Sequence, residues 1–173
     1  MIIVFFITIV EVLNFEDLGE GSFLSDITIN ELYDSPRFEG KNILWGSGYF
    51  FIRDEFNDAK ENVFKNKVDS ILISFGGTDQ HNLTLTIYRL IKDICKLNNI
   101  KINNVTGPGY MDFENLKEEV RNDTLVELTN STGVISSIME KSQIAIISNG
   151  RTVYELAQMN IPAIVLSQHE REQ

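Results

Sequence analysis

Apolar residues in the second half of the chain fall in short continuous runs, at positions 71–74, 100–105, 125–128, 144–147 and 163–166. Runs of this length predict strands covered on both faces, as in a parallel sheet flanked by helices. Between the first two runs, Leu83, Ile87, Leu90, Ile91 and Ile94 recur at helical spacing and predict one apolar helix face. Further helices are expected over residues 113–121, 134–141 and 152–159. This alternation predicts a doubly wound, Rossmann-like α/β domain over residues 69–173.

Residues 1–68 lack that regularity. Extended pieces are expected at 2–13, around Ile27–Thr28–Ile29 and at Ile43–Leu44–Trp45, with a turn over 15–21 and a helix or turn carrying Arg53, Asp54, Glu55 and Phe56. There are too few long periodic segments for a sheet with its own covering helices. The segment reads as the remnant of a second α/β domain together with a linker.

In open parallel sheets, ligands bind beyond the carboxyl ends of the strands, so the turns after these runs are the places to look for function. After the first run comes Phe75–Gly76–Gly77–Thr78–Asp79. Two glycines there let a backbone approach a ligand, and a helix N-terminus behind them would offer N–H donors to a diphosphate. A tight turn capped by Thr78 or Asp79 is the alternative, and Asp79 itself would repel phosphate.

After the fourth run comes Ser148–Asn149–Gly150–Arg151–Thr152, with Glu155 about one helical turn on, where a carboxylate can meet a ribose diol. Thr152 and Glu155 also fit a capping box that needs no ligand. Arg151 fits that alternative less well, because a cation at the positive end of a helix is disfavoured without an anion. Gly107, in the turn after the second run, is a lesser candidate for lining the same edge. So are the polar residues from Ser167 to Gln173.

Composition narrows the ligand. The 173 residues are 43% hydrophobic, enough for a core, and carry a net charge of −10, which argues against broad contact with nucleic acid or anionic lipid. Residues 1–69 hold 6 Lys/Arg against 13 Asp/Glu and residues 70–173 hold 9 against 12, so the later part is the better home for a phosphate. The single cysteine, Cys95, excludes an internal disulfide and fits a buried structural thiol in a reducing, cytoplasmic setting. The apolar opening at 1–10 is shorter than the roughly 20 residues that span a bilayer, so no membrane span is expected. His81 and His169 have no metal-like companions, and neither a serine-hydrolase elbow nor a Walker motif occurs.

Three stretches in order, Asn14–Phe15–Glu16–Asp17–Leu18–Gly19, then Ser74–Phe75–Gly76–Gly77–Thr78–Asp79, then Ser148 through Ala157, resemble the nucleotide-sugar hydrolases of pseudaminic acid biosynthesis and their spore-coat-polysaccharide relatives. These resemble in turn the GT-B glycosyltransferases. The resemblance implies a two-domain GT-B-like fold whose second domain, 69–173, holds a UDP-sugar. Gly76, Gly77 and Thr78 would then form one diphosphate-side loop, with Gly107 beside it. Ser148, Asn149, Gly150, Arg151 and Thr152 would form the other, Glu155 the ribose contact, and Gln168, His169 and Gln173 the sugar-facing loop.

The implied reaction is attack by water at the anomeric carbon, releasing UDP and a 2,4-diacetamido-2,4,6-trideoxy sugar without metal or cofactor. The family's glycine-rich loop and its histidine have no counterpart in residues 1–13, so the chain is expected to be a fragment without its catalytic base. A GT-B transferase fragment and a non-catalytic nucleotide-sugar-binding module are the alternatives.

Overall fold

The computed structural model of the protein describes residues 11–33 and 35–168. The strand expected over 2–10, and the expected site residues His169 and Gln173, lie outside them. The chain divides into two compact units, Met1–Phe51 and Ile52–Gln173.

The first unit contains a three-stranded parallel sheet in the order β1 (Leu13–Phe15), β2 (Ile27–Asn30), β3 (Ile43–Trp45). Its strands are too short and too exposed to leave a continuous apolar run, which is why the sequence did not announce a sheet here. Its interior is largely polar. Ser25 and Thr28 hydroxyls bond each other, and the Ser22 carbonyl accepts from Ser25, Thr28 and Asn42.

The second unit is the expected doubly wound domain. Its strands are β4 (Ser70–Ser74), β5 (Lys101–Thr106), β6 (Val126–Asn130), β7 (Ile144–Ser148) and β8 (Ala163–Leu166). They are all parallel, in the order β6-β5-β4-β7-β8. The connecting helices are α1 (Leu83–Asn98), α2 (Phe113–Val120), α3 (Ser136–Met139) and α4 (Arg151–Gln158). Because side chains alternate along a strand, each sheet face has its own core. Leu72, Ala145 and Ile147 pack with α3 and α4 through Ile138, Met139, Leu156 and Met159. Ile73, Ile102 and Ile146 pack with α1 and α2 through Leu85, Tyr88, Cys95, Leu116 and Val120.

Three expectations need correcting. Within α1, Leu83, Ile87 and Ile91 pack against the core as expected, but its most buried apolar residues are Leu85, Tyr88 and Cys95, while Leu90 and Ile94 face solvent. Tyr88 is accommodated inside because its ring joins the core while its hydroxyl donates to Asp123, so the buried face is wider than the purely aliphatic one. Strand β8 is an edge strand with Ile164 and Val165 exposed, so its apolar run is not covered on both faces. Residues 52–68, expected with the first part, group with the second unit. Phe56 enters the α3/α4 core, the Asn62 backbone N–H donates to the Met159 carbonyl, and that of Lys60 donates to Glu140.

Candidate functional site

The chain lays β4, β5 and β6 outward in one direction, then crosses back to place β7 on the other side of β4. The order of connection therefore reverses between β4 and β7, and a crevice opens at the carboxyl ends of such a pair. Ser74 of β4 pairs in register with Ile147 of β7, so both glycine-containing turns leave the sheet side by side. A Cβ on Gly76 would lie 4.0 Å from the Ser148 Oγ.

The two turns are built differently. After β4, Gly76 takes φ +76°, the left-handed region where a Cβ is strained, and α1 starts only at Leu83. The first α1 donors are already used, since Asp79 accepts from the Leu83 N–H through Oδ1 and the Thr84 N–H through Oδ2, both at 2.8 Å. Of the two readings of this turn, Asp79 as the cap is the one the hydrogen bonds match: Asp79 fills this helix end. Thr78 is exposed in the loop and makes no side-chain cap.

The loop is braced from behind. The Gly109 N–H donates to the Gly77 carbonyl at 3.0 Å, and a Cβ on Gly107 would overlap the Gly77 backbone. Gly107 thus packs against the loop rather than facing open space. Asn82 accepts from the Tyr110 hydroxyl and donates to Asp112. Burial first, then the charges of Asp79 and Asp112, push the Tyr110 phenol up to about 12, so it remains a donor.

After β7 the chain enters α4 almost at once. Gly150 is the N-cap in extended backbone, and nothing lies within 4 Å of where a Gly150 Cβ would be. This excludes the capping box, because Thr152 lies inside the helix instead of at its cap. Arg151 and Thr152 open the helix at half-buried positions, with Asn149 exposed before them.

Glu155 lies one turn into α4 with its side chain 8% exposed. Its Oε1 accepts from Arg53 Nε at 3.0 Å and Nη2 at 2.9 Å. Arg53 also pairs through Nη1 with Glu55 Oε1 at 2.7 Å, and Glu55 Oε2 accepts from the Ser136 N–H. Sequence reasoning passed over Arg53. The signal was a cation immediately followed by two acids and an aromatic, Arg53–Asp54–Glu55–Phe56, in an otherwise unpatterned segment.

Gln168, beyond β8, reaches across to the same edge. Its Nε2 donates to the Phe75 carbonyl at 3.0 Å, while its own carbonyl lies 3.0 Å from His81 Nε2. The structure thus brings Gly76, Gly77, Thr78, Ser148 and Gly150 to one edge with Gln168, and sets Gly107 behind them. A cleft of about 470 Å³, lined by Tyr88, Lys92, Glu119 and Asp123, lies at the opposite end of the sheet, between the carboxyl ends of α1 and α2. Among the described residues, no helix is long and apolar enough to cross a membrane, and no group of three or more His, Cys, Asp or Glu could hold a metal.

No protein-family profile matches the chain. It is 29% identical over 161 residues to an uncharacterised protein of Methanocaldococcus jannaschii, covering 84% of this chain and 33% of that relative. It is 23% identical over 163 residues to the spore coat polysaccharide biosynthesis protein SpsG of Bacillus subtilis, covering 91% of this chain and 48% of SpsG. The chain therefore spans a third to a half of these relatives' length. Among solved structures it is similar to a mutant of TarM from S. aureus, crystallised with fondaparinux, alpha-GlcNAc-glycerol and UDP. The TM-score is 0.57 at 15% identity, covering 87% of this chain and 32% of TarM. The fold is Rossmann-like and GT-B-like.

Proposed function

We propose that this chain carries the nucleotide-binding half of an enzyme that processes UDP-sugars in surface polysaccharide or nonulosonic acid biosynthesis. The observation that carries this reading is the meeting of two glycine-containing turns at the β4/β7 reversal, one of which opens directly into a helix through a glycine N-cap. In this reading the diphosphate lies at the N-terminus of α4, where the helix dipole favours an anion and Arg151 adds a positive charge. Gly76, Gly77, Thr78, Ser148, Asn149, Gly150 and Thr152 line it. Glu155 accepts from the ribose hydroxyls, and Gln168 borders the sugar. The relationship to SpsG supports the polysaccharide context.

The reaction we assign is hydrolysis. Water attacks the anomeric carbon, the bond from that carbon to the diphosphate oxygen breaks, and UDP leaves as the 2,4-diacetamido-2,4,6-trideoxy sugar is released. The likeness to the TarM fold favours a second reading, in which an acceptor hydroxyl takes the place of water. Both readings share the nucleotide site, and calorimetric titration with UDP tests it. A folded chain is expected to give saturable heat. Glu155→Ala should weaken binding about tenfold, the loss of a charge-assisted hydrogen bond. Arg151→Ala should weaken it more at low than at high salt. A folded chain that gives no heat with UDP overturns the proposal.

A further inference from the structure

The enclosed carboxylate of Glu155 raises the question of what holds and aims it. A carboxylate with 8% of its side chain exposed needs a partner, because desolvation disfavours its charge. That partner is Arg53, from a segment about a hundred residues earlier in the chain. Both of its donors, Nε and Nη2, go to the same oxygen, Oε1. Oε2 makes no hydrogen bond among the described residues and is not one of the sealed, unpartnered polar atoms.

Arg53 is itself fixed. Its third nitrogen, Nη1, is held by Glu55, whose other oxygen is anchored on the Ser136 N–H at the start of α3. Its guanidinium lies 5.3 Å over the ring of Phe56, a residue of the α3/α4 core. A planar fork held in this way sets the rotation of the carboxylate it grips, which a lysine ammonium would not do.

We infer that Arg53 is the positioning residue for nucleotide recognition: it saturates Oε1 of Glu155 and leaves Oε2 to accept the ribose hydroxyls. This rests on the UDP reading above. Arg53 acts through Glu155, so it governs discrimination between ribose and deoxyribose rather than overall affinity for the diphosphate.

The test compares UDP with 2′,3′-dideoxy-UDP by calorimetry on the full chain and its Arg53→Gln and Arg53→Lys variants. The wild type should prefer UDP by about tenfold, as expected for hydroxyls meeting a charged acceptor. Both variants should bind the dideoxy nucleotide as the wild type does and lose most of the preference. Arg53→Lys keeps the charge and guards against a folding defect in Arg53→Gln, with circular dichroism as the check. Retention of the ribose preference in a folded variant overturns the inference and leaves the UDP site standing. Equal weakening toward both nucleotides overturns it too, since that marks a general structural or phosphate role. Tighter UDP binding in the variants would mean that Arg53 competes with ribose, again against the inference. A folded wild type that binds neither nucleotide overturns the UDP reading itself.

Discussion

Two turns leave the same sheet edge side by side, and they solve the problem of a helix N-terminus in opposite ways. After β4 the chain wanders from Phe75 to Asn82 before α1 begins, and Asp79 folds back to satisfy two of the helix's leading N–H groups. After β7 only Asn149 and Gly150 intervene before α4, and its N-cap is a glycine. A helix end that carries its own carboxylate repels an anion, whereas one entered through a glycine beside an arginine favours one. In the proposed reading the first turn is therefore a wall and the second the binding surface, a distinction the sequence left open at both.

The comparison breaks most readily at the brace behind the wall. In Gly107→Val the new Cβ would overlap the Gly77 Cα and lie 2.5 Å from its carbonyl oxygen. The Gly77 atoms are backbone and a Cβ is fixed by its own backbone, so neither can swing away. Overpacking of this kind costs about 3 kcal/mol. A thermal melt should show the midpoint lowered by about 10 °C, with UDP affinity lost along with the fold. An unchanged melt would mean that the Gly109–Gly77 contact is not what holds the loop.

Next in size is the cap. Asp79→Ala leaves the Leu83 and Thr84 N–H groups without their acceptor, and Thr84 is buried. The expected loss is about 1–2 kcal/mol in urea unfolding, the usual range for a helix cap. Removing a carboxylate from the site edge should at the same time leave UDP binding undiminished or improve it. A variant whose affinity falls well beyond its stability would move the diphosphate to the first turn and reverse the roles of the two.

Much of this architecture could be read in the sequence because strands buried on both faces leave continuous apolar runs. Residues 71–74 and 144–147 mark β4 and β7, and the turn residues after them follow directly. What could not be read depends on contacts distant in sequence. Whether Asp79 caps α1 or merely precedes it depends on the left-handed backbone at Asp79 and Asn82, which residue type alone does not fix. The pairing of Arg53 with Glu155 joins a polar segment without periodicity to a helix built a hundred residues later. In the first unit, strands of three and four residues around a polar interior left no hydrophobic period to detect.

The smallest effect on stability should come from Gly150→Ala, and it separates the two turns most sharply. Gly150 has φ −175°, extended backbone that alanine adopts without strain, and the added methyl meets no atom within 4 Å. The cost in urea unfolding should be about 0.5 kcal/mol, the difference between glycine and alanine as an N-cap. The same methyl would stand in the space through which an anion reaches the leading donors of α4. UDP affinity should therefore fall by far more than stability, whereas in Gly107→Val the two losses run together. If Gly150→Ala binds UDP as tightly as the wild type, the open space before α4 is not the diphosphate's approach, and the second turn loses its claim to be the binding surface.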